Sequence, residues 1–238
     1  MFTIRAEEIM TPRHLLRCAT TTAVAVRIAR ENDFDAIPFI GPNGLVKYFW
    51  SRESNSSIKI VRQHRIEYDA PVERLLPSLG AHVAQFVYYR SQCVGLVDAS
   101  DLNKPIARLI LHLPMIELER SIVTAIESRY PTDEEQELIV GKSDSRKLWD
   151  YQNRDKRPDL RRRLIEYAGF PLLLRVAEET GIASFNEAEK LQLKPLRDFA
   201  AHGAQATLIQ KRADCNRISA AIEIARRATR DSSRHIKA

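Results

Sequence analysis

The chain has 238 residues, 44% of them hydrophobic, with only 8 Gly and 11 Pro. That content suits one large domain or two modest ones, and it excludes wholesale disorder and low-complexity or collagen-like architecture. The formal charge is +6, and 27 of the 37 basic residues are Arg, the better geometric match to phosphate. The charge is unevenly spread. Residues 1–112 carry 14 basic against 11 acidic side chains, residues 113–140 carry 2 against 7, and residues 141–238 carry 21 against 13. A basic C-terminal region points either to a polyanionic partner or to solvated helix faces. No apolar run approaches the ~18 residues of a membrane-spanning helix, so no membrane association is expected. The opening Met1-Phe2-Thr3-Ile4-Arg5-Ala6-Glu7-Glu8 lacks the apolar stretch of a signal peptide. Cys18, Cys93 and Cys215 are odd in number and scattered, which fits neither a disulfide framework nor a zinc site. A cytoplasmic, reduced setting is the expectation.

In chain order, Thr20-Thr21-Thr22 leads into an amphipathic helix over 23–31. Ala36 to Ile40 and Leu45 to Phe49 read as two strands bent at Gly41-Pro42-Asn43-Gly44. The order then recurs. Ala70 to Leu76 opens a second unit, His82 to Tyr89 and Cys93 to Val97 read as strands, and Asp98-Ala99-Ser100-Asp101 supplies the caps of a helix. From Pro114 the pattern turns helical. Pro114 suits the first turn of a helix over 115–130, and Thr132-Asp133-Glu134-Glu135 is a capping box. The polar stretch 141–159 reads as a loop or connection. Residues 160–181 read as helix broken near Pro171, and Ser184-Phe185-Asn186-Glu187 reads as another cap. Pro195 is expected to start a helix that Gly203 ends. A last helix spans 209–229, with a tail from Ser232.

Ile9-Met10-Thr11-Pro12, Ala36-Ile37-Pro38-Phe39-Ile40, Gly44-Leu45-Val46 and Gly95-Leu96-Val97-Asp98-Ala99-Ser100-Asp101-Leu102 together resemble a tandem pair of CBS domains over about residues 4–112. The resemblance implies an adenine nucleotide, AMP or ATP, as regulatory ligand. It implies that Val97, Asp98, Ser100 and Asp101 contact this ligand, with the Asp101 carboxylate on the ribose hydroxyls. A carboxylate suits a vicinal diol because it accepts two hydrogen bonds. Two departures are plain: Asp98 stands where the family has Thr, and in the first repeat Trp50 stands where the Asp belongs. The other role open to Asp101 is that of a helix cap in a pair that only dimerises the chain.

Leu196-Arg197-Asp198-Phe199-Ala200-Ala201-His202-Gly203 resembles the signature of HEPN domains, helical bundles of which many are metal-independent ribonucleases. The resemblance covers about residues 110–230. It implies that Arg197, Asp198 and His202 are catalytic, that no metal or cofactor takes part, and that RNA is the substrate. A second copy of the chain is implied as partner, with an antitoxin or other regulatory protein as a further one and a toxin or defence role among the settings. His202 titrates near neutrality and suits general acid–base work on the ribose 2′-OH, and Arg197 suits the charge of a phosphorane. Five helical residues turn about 140° past a full turn, so Arg197 and His202 of one chain do not share a face and a dimer must bring them together. Glu117 and Glu119 on the first helix are the candidates for an additional polar group in the cleft. A second Arg230-Asp231-Ser232-Ser233-Arg234-His235 lies in the hydrophilic tail and reads as coincidence. The basic run 154–163 offers either phosphate contacts or a solvated helix start, and Trp149 and Tyr151 beside it offer either base stacking or an anchor of the connection to the bundle.

The expected fold class is α+β: a CBS pair over 1–112 followed by an all-α HEPN-like bundle over 113–238. The expected activity is a metal-independent endoribonuclease with a composite site at the dimer interface and regulation by adenine nucleotide. The alternative is a non-catalytic dimeric adaptor that binds RNA or protein, with a structural CBS pair.

Overall fold

The computed structural model describes residues 4–155, 162–201 and 209–236, the last four of the middle segment by backbone only. The fold is mixed α/β with a C-terminal helical region. It divides into two compact units, Met1–Leu111 with Gly203–Ser219, and His112–His202 with Ala220–Ala238.

The first unit opens with the short helix α1 (Ala6–Ile9) and strand β1 (Thr11–Pro12). Helix α2 (Thr22–Asn32) is capped by Thr21, whose hydroxyl accepts the Val24 N–H at 3.4 Å. It ends at Asp33, in the left-handed conformation with φ 56°. Strands β2 (Ala36–Ile40), β3 (Val46–Ser51) and β4 (Ser56–Lys59) form an antiparallel meander. Gly44, at φ 70°, supplies the backbone conformation that the β2–β3 turn needs. Strand β5 (Arg65–Glu67), helix α3 (Val72–Ala81) and strands β6 (Ala84–Tyr89) and β7 (Gln92–Asp98) follow. The second sheet has the order β1-β7-β6-β5, with β5 parallel to β6 and the other pairs antiparallel. The helix–strand–strand order therefore occurs twice, as α2-β2-β3 and α3-β6-β7.

Side chains alternate across a strand, so neighbours on β3 serve opposite faces. Phe49 packs with Phe86 of β6 at 5.2 Å between ring centroids, in a core that includes Ile60 and Leu96. Trp50 turns to the other face, where Ala25 and Ala29 of α2 cover it together with Ile37. Gly95 lets β1 lie on β7: a Cβ there would stand 2.5 Å from Met10 Sδ and 2.9 Å from the Thr11 carbonyl oxygen.

The second unit takes most of α4 (Pro105–Arg129), then α5 (Asp133–Val140), α6 (Lys142–Arg154), α7 (Phe170–Glu179), α8 (Glu187–Ala201) and the later part of α9 (Arg212–Ile236). The Thr132 box closes as expected: Glu135 N–H donates to Thr132 Oγ1 and Thr132 N–H to Glu135 Oε2. Gln136, fully buried, donates to the Tyr130 carbonyl and accepts the Ile165 N–H, tying a 3₁₀ turn at Leu164–Tyr167 to α5. Ser121 of α4 donates to the Thr229 carbonyl of α9 at 3.2 Å.

Several expectations are corrected. Pro114 and Pro195 lie inside α4 and α8 rather than at their starts. Proline costs the bond to the carbonyl four residues back, but buried residues flank each one, Leu111 and Met115 around the first and Leu193 and Leu196 around the second. The stretch 142–154 is helical despite its polarity, because Leu148 is buried and the Trp149 indole N–H donates to Glu137 at 3.3 Å. The break expected near Pro171 falls at Gly169, with Pro171 in the first turn of α7. The cap of α8 is Asn186, which exchanges bonds with Glu189. The segment from Ser232 is no tail: it continues α9, with Ser232 fully buried. Strands β4 and β5 are additional to the expected elements.

Candidate functional site

In the helical unit, α8 carries Arg197 one position after the buried Leu196, so its stem leaves the core edge on a fixed path. The helix is anchored on both sides. Arg227 of α9 makes two bonds to the Glu189 carboxylate, at 2.7 and 3.1 Å. Lys190 pairs with Glu178 of α7 at 2.6 Å. On α4 the fully buried Leu118 precedes Glu119 in the same way. The result brings Arg197 Nε to 4.0 Å from Glu119 Oε1, with the two side chains 33% and 38% exposed. Burial pushes the Glu119 carboxyl above its ordinary value, and the Arg197 guanidinium opposes that shift. The sequence left Glu117 and Glu119 as equal candidates. The structure separates them: Glu119 meets Arg197, while Glu117 is exposed. His202 and the side chain of Asp198 lie outside the described residues, as do Gly203 and residues 156–161 of the basic run 154–163. Tyr151 is exposed on α6, and Arg230 and His235 belong to α9.

Chemically, a guanidinium held by a half-buried carboxylate at a partly open surface offers a positioned fork for an anion. The carboxylate fixes the cation and limits the net charge it presents.

In the first unit, Val97 is fully buried on β7, and Asp98 and Ser100 sit at the strand's end. Asp98 Oδ1 accepts from the N–H and the hydroxyl of Ser100, at 2.7 and 2.6 Å. Asp101, 5% exposed, closes the box: its Oδ2 accepts the Asp98 N–H at 2.9 Å, and its Oδ1 pairs with Lys104 Nζ at 2.6 Å. Each oxygen of the carboxylate thus already accepts one bond within the chain. Burial and the neighbouring Asp98 charge push its pKa up to about 6, against the pull of Lys104. The cavity beside Asp98, lined by Phe34, Pro38 and Leu96 among others, holds about 70 Å³. Small-molecule pockets usually run to ~300 Å³ or more, so this one has room for ordered water rather than a nucleotide.

Among the described residues, no helix is long and apolar enough to cross a membrane. No family model matches the chain, and no curated protein matches it. Among solved structures the chain is similar to a conserved CBS domain protein of unknown function from Thermoplasma acidophilum. That similarity has a TM-score of 0.37 and 20% identity, over 45% of this chain and 72% of the other.

Proposed function

We propose that this chain is a metal-independent endoribonuclease of HEPN type, acting as a homodimer, with a CBS-like pair as its N-terminal unit. The observation that carries the reading is the Arg197–Glu119 pair: the Arg of the motif sits at a partly open surface, backed by a carboxylate from the first long helix. In the proposed reaction His202 takes the proton of the ribose 2′-OH. That oxygen attacks the adjacent phosphorus, the bond to the 5′-oxygen breaks, and the leaving oxygen takes up a proton. The products are a 2′,3′-cyclic phosphate and a 5′-hydroxyl. Arg197 stabilises the added charge of the phosphorane, Glu119 holds the guanidinium in line, and Asp198 orients His202. The five-residue spacing of Arg197 and His202 in the sequence, about 140° past a full turn of an ideal helix, supports a cleft made by two chains.

Arg197→Ala and His202→Ala are each expected to abolish cleavage while leaving the dimer intact. Co-expression of the two inactive variants is expected to restore part of the activity, because a mixed dimer then holds one intact Arg–His pair. Undiminished cleavage by both single variants would overturn the reading.

The two bonds already made by the Asp101 carboxylate and the small cavity beside Asp98 argue against a ribose contact at Asp101. The second reading is a dimeric adaptor with a structural N-terminal pair, which holds RNA or a partner protein without cleaving it. The two separate on cleavage alone.

A further inference from the structure

Two open clefts adjoin on the first unit, of about 720 and 380 Å³, and share Glu67 and Asp69 on their walls. They run beside β5, the edge strand of its sheet, and reach the β6–β7 turn. Arg62, Arg65 and Arg74 line the larger cleft, and Arg5 and Arg90 line the smaller. Against the two shared carboxylates the walls therefore carry an excess of positive charge. Arg62 and Arg74 are exposed and make no ion pair among the described residues. Aromatic rings are interleaved with these cations. The Arg65 guanidinium lies 4.8 Å from the centroid of the Tyr88 ring, and that of Arg90 lies 5.4 Å from Tyr89. Tyr68 meets Tyr89 edge to face at 5.4 Å, and Tyr89 remains 51% exposed.

We infer that this groove binds single-stranded RNA, a substrate grip on the N-terminal unit that rests on the reading of the chain as an RNA-directed protein. Guanidinium forks match phosphate oxygens, and an exposed tyrosine face stacks a base of any identity. Glu67 and Asp69, between the two sets of arginines, are placed to accept from the exocyclic amines of splayed bases. An acidic peptide would use the cations but would have no use for the rings, and double-stranded RNA keeps its bases inside.

The test is fluorescence anisotropy with a short labelled oligocytidylate, whose bases carry an exocyclic amine, on the full chain carrying His202→Ala, so that binding is read without cleavage. Tyr89→Ala is expected to weaken binding roughly tenfold, and Tyr89→Phe to retain it. The pair Arg62→Gln and Arg74→Gln is expected to weaken binding and to flatten the salt dependence by about 1.4 in log–log slope, ~0.7 for each phosphate that is no longer neutralised. Thermal unfolding of each variant checks that the fold is kept. RNA binding that ignores all these substitutions overturns the groove, as does a polyglutamate peptide binding with the same arginine dependence while RNA shows no loss on Tyr89→Ala. The groove and the ribonuclease fail separately. RNA cut by the wild-type chain, with binding unchanged by the groove variants, removes the groove alone. Tyr89-dependent binding by a chain that cuts no RNA supports the groove and removes the ribonuclease.

Discussion

Asp101 and Arg197, the charged groups that the two motifs single out, stand in opposite circumstances. Asp101 is almost wholly buried, and each of its oxygens accepts a bond from residues three positions away in the same chain, one from the Asp98 N–H and one from Lys104. Arg197 keeps a third of its side chain exposed, and its partner Glu119 is partly open as well. The same kind of local sequence, a charged residue beside buried leucines, yields a sealed helix cap in one unit and a cation at an open surface in the other. What differs is where the partner lies along the sequence. At Asp101 the turn that follows β7 brings a lysine three residues on, so the carboxylate is satisfied at short range. Arg197 finds a counter-charge on a helix distant in sequence, and both side chains stay partly exposed.

The contrast can be broken or sharpened by substitution. The largest effect is expected at Arg197. Its replacement by alanine should abolish detectable RNA cleavage, a fall of at least about 10²–10³-fold, as the loss of a preorganised cation at the transition state does. Glu119→Gln should lower kcat by roughly tenfold with KM little changed, since the 4.0 Å contact is electrostatic and a neutral amide no longer holds the guanidinium in line. An unchanged rate in either variant would place the chemistry elsewhere.

The next effect is the pH dependence of stability from Asp101. Its pKa in the folded chain is about 6, above its unfolded value, so the native state binds more protons than the unfolded state between about pH 4 and 6. Stability from this group is therefore full below that window and falls as pH rises through it, by up to about 3 kcal/mol. Asp98 and Lys104 are the charged groups that face it. Asp101→Asn should flatten this part of the stability profile. A wild-type profile that rises from pH 4 to 6 and is unaltered by the substitution would show that Asp101 is not held as described.

Gly95→Ala should cost about 1–3 kcal/mol, because the added Cβ collides with Met10 and with the Thr11 backbone. Chemical denaturation reads this directly. No loss would mean that β1 moves away from β7 at little cost. The smallest effect is an expected absence. Millimolar AMP or ATP should give no rise in Tm that Asp101→Asn removes, since ligands stabilise only through sites they occupy. A rise lost in that variant would show that the small cavity opens and would return the nucleotide to the first unit.

Much of the first unit was legible because local chemistry punctuates it. Gly41-Pro42-Asn43-Gly44 marks the β2–β3 turn, and Asp98 caps the turn after β7, so the repeated helix–strand–strand order emerges from the chain. Strands β4 and β5 escaped because Ser56-Ser57-Ile58-Lys59 and Arg65-Ile66-Glu67 carry one apolar residue each, too few for an alternation. The same limit hid α6, where Leu148 is the buried apolar residue in a polar stretch. Pro114 and Pro195 misled for another reason. Proline signals a helix start by local geometry, but buried flanking residues on both sides carry α4 and α8 through it. At the candidate site the sequence supplied Arg197 and two equivalent glutamates. Choosing Glu119 needed the packing of α4 beside α8, which no local pattern encodes.

The most direct test of the central claim is RNA cleavage by the purified chain in EDTA, beside His202→Ala prepared in the same way. The account predicts that the wild-type protein cuts RNA and leaves 2′,3′-cyclic phosphate ends, and that the variant leaves the RNA intact. RNA untouched by the wild-type chain, or cut equally by the variant, would contradict it.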